Sequence, residues 1–340
     1  MENHLSPDSP LIPGEKPATD EVLIIPPKPA AEEPKSKINI WIRTVSSLAL
    51  YLILGFYIFH SFELLLLITG IVVFHELGHF FAMKAFRYQD LGIFFIPLLG
   101  AYVSGTKRDV SQRESAIILL AGPLPGIIVG IVLFLIDKRN PGSIGSVSLE
   151  TAAILFTFLN IINLIPIYPL DGGQLLNRVF FNEESWLSRL FVLLSAAFLV
   201  WVALFATTPP FYLLLLFPAM MVFRMFGDSK LNTIEKKVEA AGINLDVSYE
   251  DMPDADYWKI RNILVEEHPS FRDVSQTPPY EYDQREDKIM TTIQSLLHRH
   301  LIQDVSIAGK VFIFLIWVAA FATPWWLQMD MSFYLHRFGF

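Results

Sequence analysis

The sequence runs to 340 residues, of which 53% are hydrophobic and only 18% charged, and the apolar residues are clumped rather than dispersed. Runs approaching the ~20 residues needed to cross a bilayer recur along it, which excludes an ordinary soluble domain. A formal net charge of −8 argues against a nucleic-acid partner, and the lack of cysteine leaves His, Asp and Glu as the ligands for any metal.

In chain order, residues 1–38 carry Asp8, Glu15, Asp20, Glu21, Glu32 and Glu33 among many prolines, with no cleavable apolar core. They read as a disordered, Pro-rich cytoplasmic tail rather than a signal peptide. Apolar spans follow at about 41–60, 62–84, 114–136, 150–169, 187–206, 211–227 and 309–328. The expected fold is therefore an all-α polytopic membrane protein with about seven transmembrane helices, six being the fallback. A transmembrane domain covers 39–227, and 309–340 forms a last helix and tail. Lys35, Lys37 and Arg43, then Lys84, Arg87, Lys107, Arg108 and Arg113, then Arg178 and Arg189, then Lys230, Lys236 and Lys237 all fall on one side of that arrangement. The positive-inside rule makes this side cytoplasmic and places the N-terminus there. The remaining polar segment, 228–308, is acidic and has helix-like stretches at about 229–241, 254–267 and 284–301. It reads as a small cytoplasmic domain and the place for a regulatory partner, with His298 and His300 as surface side chains.

The second span contains His75-Glu76-Leu77-Gly78-His79. Residues four apart share a helix face, so both imidazoles can reach one ion, while Glu76 is turned by about 100° and can reach water held there without being a ligand. Three ionisable side chains in an apolar span cost several kcal/mol if unpaired. A metal in an internal cavity removes that cost. The fourth span ends in Asn160, Asn163, Pro166, Pro169, Leu170, Asp171, Gly172 and Gly173. Its prolines break the helix, and a broken helix at membrane depth needs surrounding protein or a water-lined cavity. Asp171 can then turn into the bundle as a third ligand, at the same depth as the histidines in the proposed topology; the alternative is an interfacial helix-end turn.

These two motifs resemble the site-2 protease family of intramembrane metalloproteases: the H-E-x-x-H at His75–His79, and the run Asn163-x-x-Pro166-x-x-Pro169-Leu170-Asp171-Gly172. Ala121-Gly122-Pro123 is similar to the family's Gly-Pro element. The resemblance spans about residues 60–180 and implies a three-helix catalytic core. It implies that His75, His79 and Asp171 ligate one Zn²⁺ per chain and that Glu76 activates water. It also implies that Asn163 holds substrate or stabilises a developing oxyanion. The implied activity is cleavage within or near transmembrane segments of another membrane protein, as in regulated intramembrane proteolysis; the topology read from the basic residues puts the site toward the cytoplasmic face. Pro125-Gly126 departs from many relatives, and no PDZ-sized insertion interrupts the core.

Gly122, Gly126 and Gly130 form a close-packing face. The apolar segment 91–103, broken by Pro97 and Gly100, suits a small re-entrant strand pair whose edge could hold an extended substrate. Two other functions are compatible with H-E-x-x-H. One is a CAAX-processing type of protease with Glu150 as third ligand; the other is a catalytically silent scaffold or metal transporter.

Overall fold

Uninterrupted apolar runs fold as helices because a bilayer offers no water to their amide groups. The computed structural model describes residues 25–30, 39–59, 61–97, 100–107, 110–181, 185–206, 209–278, 280–297 and 301–329. Helices α1 (Ile40–Phe59) and α2 (Phe62–Ala85) lead into an antiparallel hairpin of β1 (Gln89–Ile96) and β2 (Gly100–Thr106). The third span is two helices, α3 (Gln112–Ala121) and α4 (Pro123–Arg139), divided at Gly122-Pro123. A short hairpin of β3 (Ser143–Ile144) and β4 (Val147–Ser148) precedes α5 (Leu149–Asn163). After α6 (Asp171–Leu175) and a π-helical turn at Leu176–Phe180 come α7 (Trp186–Trp201) and α8 (Leu216–Ala240). Helices α9 (Asp254–Glu267) and α10 (Glu286–Leu296) build the polar domain, and α11 (Ile307–Trp326) is the last span.

Serine starts many of these helices. At α2, α3, α5, α7 and α11 the hydroxyls of Ser61, Ser111, Ser148, Ser185 and Ser306 accept the amide three residues on. This satisfies one of the donors that a helix N-terminus leaves open. Large apolar side chains on the outer helices face outward, Phe223 at 81% exposure and Trp325 at 87%, as a lipid-facing surface requires.

Six helical segments among the described residues are long and apolar enough to cross a membrane. The fourth expected span, 150–169, is instead a helix of 15 residues ending at Asn163. Pro166 and Pro169 account for the difference, since neither can donate to a helix and each restricts the residue before it. The short helix is central: Ala152, Ala153, Leu155 and Thr157 are buried, and its closest helical neighbour is α4. Where α5 stops, its carbonyls lose their helical donors. The buried indole of Trp317, on α11, donates to the Leu164 carbonyl at 2.8 Å. The last span thus closes the break made by the fifth helix.

The strand pair forms within the expected segment, with Phe95 opposite Ala101 and Ile96 opposite Gly100. It lies against α1, where Ser47 Oγ accepts the Phe95 amide at 3.1 Å, and against α2. The polar domain has its own core, from Ile234 and Val238 on α8 through Trp258, Ile260 and Leu264 to Ile289 and Ile293. Arg261 and Glu286 pair inside it, with Nε–Oε1 at 2.9 Å, and the Tyr257 hydroxyl donates to the same carboxylate at 2.6 Å. Helix α8 runs unbroken from the span into this domain, so no linker falls near residue 228. Behind the domain, Ile302 pairs with Ser111 at the start of α3, and Asp304 accepts the Arg113 amide at 2.9 Å. Residues 1–24 and 31–38 of the expected tail, and His298 and His300, lie outside the described residues. Residues 25–30, by contrast, rest against the domain.

Trp317→Phe keeps an aromatic side chain but removes the donor to Leu164, together with the five-membered ring that carries it. The loss expected from one buried unsatisfied carbonyl is about 1–3 kcal/mol, read as a lower thermal unfolding midpoint in detergent. An unchanged midpoint would mean that the indole bond does not hold the break.

Candidate metal centre

The helical repeat of α2 brings the His75 and His79 rings together, with centroids 4.8 Å apart. Both side chains are buried. Asp171 opens the helical run after the break, and its Oδ2 lies 3.1 Å from His75 Nε2 and 3.2 Å from His79 Nε2, while the two Nε2 atoms are 3.0 Å apart. One ligand atom from each residue falls within 4.8 Å of the other two.

The outer imidazole nitrogens fix the chemistry of the inner ones. The Asn160 amide nitrogen donates to the Phe156 carbonyl at 2.7 Å, so its Oδ1 must be the atom facing His75 Nδ1 at 2.8 Å. His75 therefore donates from Nδ1. His79 Nδ1 likewise donates to the Ile118 carbonyl at 2.8 Å. In neutral rings both Nε2 atoms then carry lone pairs, and they converge with a carboxylate oxygen. Three acceptors with no donor among them suit a divalent cation, and two imidazoles with one carboxylate form a set that Zn²⁺ favours.

Two glycines of the expected packing face make room for this arrangement. A Cβ at Gly122 would overlap the His79 ring at Nε2, and one at Gly126 would overlap the Asn160 carboxamide. Gly130 lies farther along, against Thr157. The close-packing reading of the stripe holds, and at two of the three positions what is packed is the site itself.

Glu76 is buried beside the cluster. A cavity of about 80 Å³ is lined by His75, Glu76, Asn160, Asn163 and, from β2, Gly100 and Ala101. A water needs about 10–15 Å³ of such space, so the cavity can admit several. Asn163 lines it as well, with its amide nitrogen donating to the Leu159 carbonyl at 3.0 Å. Glu150 stands in the exposed first turn of α5, at the end opposite Asn160 and Asn163, and is not part of the cluster.

Residues 63–139 match the family model described as Peptidase family M50. The sequence is 32% identical over 126 residues to a zinc metalloprotease of Methanocaldococcus jannaschii, and 32% identical over 123 residues to stage IV sporulation protein FB of Bacillus subtilis. The chain is similar to zinc metalloproteases of the site-2 type, and the family-model match takes in His75, Glu76 and His79. The alignments take in 36% and 35% of this chain and 36% and 41% of those relatives, so the chain spans well under half the length of the curated relatives it matches. A solved site-2 protease from Methanocaldococcus jannaschii superposes with a TM-score of 0.40 at 26% identity, over 54% of this chain and 85% of that one.

Neither the pairing of Asn160 with His75 nor that of the Ile118 carbonyl with His79 was expected from the sequence. A carboxamide in an apolar helix is costly unless bonded, so the sequence signals that Asn160 has a partner without saying which.

Gly126→Ala should push Asn160 off His75 and weaken zinc binding by about 10–100-fold, as loss of an orienting partner does; Asn160→Leu should do the same. Gly70→Ala on α2, where an added methyl meets nothing within 4 Å, is the control and should leave zinc affinity unchanged. Equal affinity in all three variants would remove Asn160 from the site.

Proposed function

We propose that this protein is an intramembrane zinc metalloprotease that hydrolyses peptide bonds within or near transmembrane segments of other membrane proteins. The observation that carries the reading is the convergence of His75 Nε2, His79 Nε2 and Asp171 Oδ2 beside a cavity that Glu76 also lines. On this reading His75, His79 and Asp171 hold a single Zn²⁺, which when bound polarises a carbonyl and makes water more acidic. Asn160 and the Ile118 carbonyl keep the imidazoles in the tautomer that ligation needs. Glu76 takes a proton from the attacking water and returns it to the leaving amine. Asn163, which also lines the cavity, binds the substrate carbonyl.

The hairpin supplies a route for substrate. Strand β2 pairs with β1 along one edge, and its first residues, Gly100 and Ala101, form part of the cavity wall. An extended segment laid along the other edge passes Glu76, with its main chain bonded by strand addition. A helical substrate must unwind to do so, because its amides are already engaged. The N-terminus is cytoplasmic in this proposal, and cleavage takes place toward that face.

Glu76→Gln should abolish cleavage of a transmembrane substrate while leaving the zinc content of the purified protein near one equivalent. Asp171→Ala should lose both. Retained biological output from Glu76→Gln would instead support a scaffold or a metal transporter. Among substrates differing only near the cut, one with Gly or Pro should be cleaved faster than one with a uniform run of strong helix formers. Equal rates would rule out local unwinding as a requirement.

A further inference from the structure

Residues Ile25-Pro26-Pro27-Lys28-Pro29-Ala30 lie across the polar domain on a surface built to receive them. Pro26, Pro27 and Pro29 have no amide hydrogen, so a peptide of this kind offers carbonyls and little else from its main chain. The domain meets those carbonyls with donors. Trp258 Nε1 donates to the Pro26 carbonyl at 2.9 Å, the Tyr282 hydroxyl to that of Pro27, and the Tyr249 hydroxyl to that of Pro29 at 2.8 Å. The one amide available between Pro26 and Pro29, that of Lys28, donates to Asp254 Oδ1 at 2.9 Å. The Lys28 ammonium donates to the carbonyls of Glu250, at 2.9 Å, and Met252, and stands 5.6 Å from the centre of the Tyr249 ring.

The receiving surface is rigid. Trp258 is buried at 1% exposure with the Arg261 guanidinium 5.1 Å from its ring centre, and Tyr280 and Tyr282 lie 5.4 and 5.5 Å from it by ring centroids. Burial holds the Tyr249 hydroxyl above its ordinary range, so it remains a donor throughout the neutral region. Aromatic rings that present hydrogen-bond donors to proline carbonyls are the means by which polyproline-II peptides are recognised.

We propose that the domain following α8 is a recognition module for Pro-Pro-Lys-Pro segments, and that the chain's own residues 25–30 are its resident ligand, bound in cis. The prolines select an extended backbone, and the carbonyls of Glu250 and Met252 select a basic residue between them. The proposal is independent of the protease chemistry, because none of these residues lines the cavity at Glu76.

The test is binding of a fluorescein-labelled peptide of residues 23–32 to the full chain in detergent, followed by anisotropy. The tail variant carries Pro26→Ala, Pro27→Ala, Lys28→Glu and Pro29→Ala, all outside the domain core. It should bind the peptide at least ~10-fold more tightly than the wild type, where a tethered segment at millimolar effective concentration competes. Adding Tyr282→Phe, a half-exposed position at 51%, should weaken that binding several-fold while leaving the fold intact. Equal binding by wild type and tail variant, or none by either, would overturn the proposal. Occlusion in the wild type should survive a tenfold dilution; its loss on dilution would assign the segment to a second copy and overturn the cis arrangement.

Discussion

Two imidazoles and a carboxylate inside an apolar bundle must direct every polar atom at a partner, and much of the core is arranged by that demand. The inner atoms converge on one another. The outer ones need acceptors from elsewhere, and the bundle supplies one carboxamide and one main-chain carbonyl. The carbonyl is available because α3 ends at Ala121, which places Ile118 among the last residues of a helix, where carbonyls have no helical donor. The interruption at Gly122-Pro123 therefore does two things: it leaves the Ile118 oxygen open, and it puts a residue without a side chain against His79.

The second interruption follows the same logic. Ending α5 at Asn163 lets the chain turn back, so that Asp171 faces the histidines instead of continuing away from them. That turn exposes main-chain groups at a depth where water does not serve them. The Trp317 indole, 153 residues along the chain from Leu164, takes the freed carbonyl. In both interruptions a side chain from another helix occupies the carbonyl left behind. One of these side chains belongs to the metal cluster and the other to the final span. The catalytic core expected within residues 60–180 is thus not closed by its own helices, and α11 completes it.

How much of this could be read from the sequence depends on how local each relation is. His75 and His79 are one helical turn apart on one element, so their shared face follows from the helical repeat. Asp171 was legible because Pro166, Pro169 and two glycines announce a break beside it. The strand pair at 91–103 was legible from Pro97 and Gly100. Asn160 was not, because an asparagine in an apolar helix has the same sequence signature whether it bonds back to its own helix or orients a histidine; here it does both. The glycine stripe suggested close packing without saying what was packed. Trp317 looked like any aromatic in a membrane span. The fourth span was drawn too long because apolar composition continues through Ile165 and Ile167 although helical geometry stops at Asn163.

The polar segment gives the clearest case of composition concealing structure. Proline in the tail argues for an extended chain without regular hydrogen bonding, and that remains true of residues 25–30. Their order comes from the other side, from tyrosine and tryptophan donors that accept such a backbone as it is. The domain meets the bundle in the unbroken helix α8 and at the bridge of Ile302 to Ser111. Helix α1 carries β1, whose partner strand lines the cavity, and α3 carries the carbonyl that orients His79. Joined to α3, the domain is positioned as part of the framework that holds His79. Residues 228–308 are more than an appendage, because Ile302 and Asp304 within that segment anchor the start of α3.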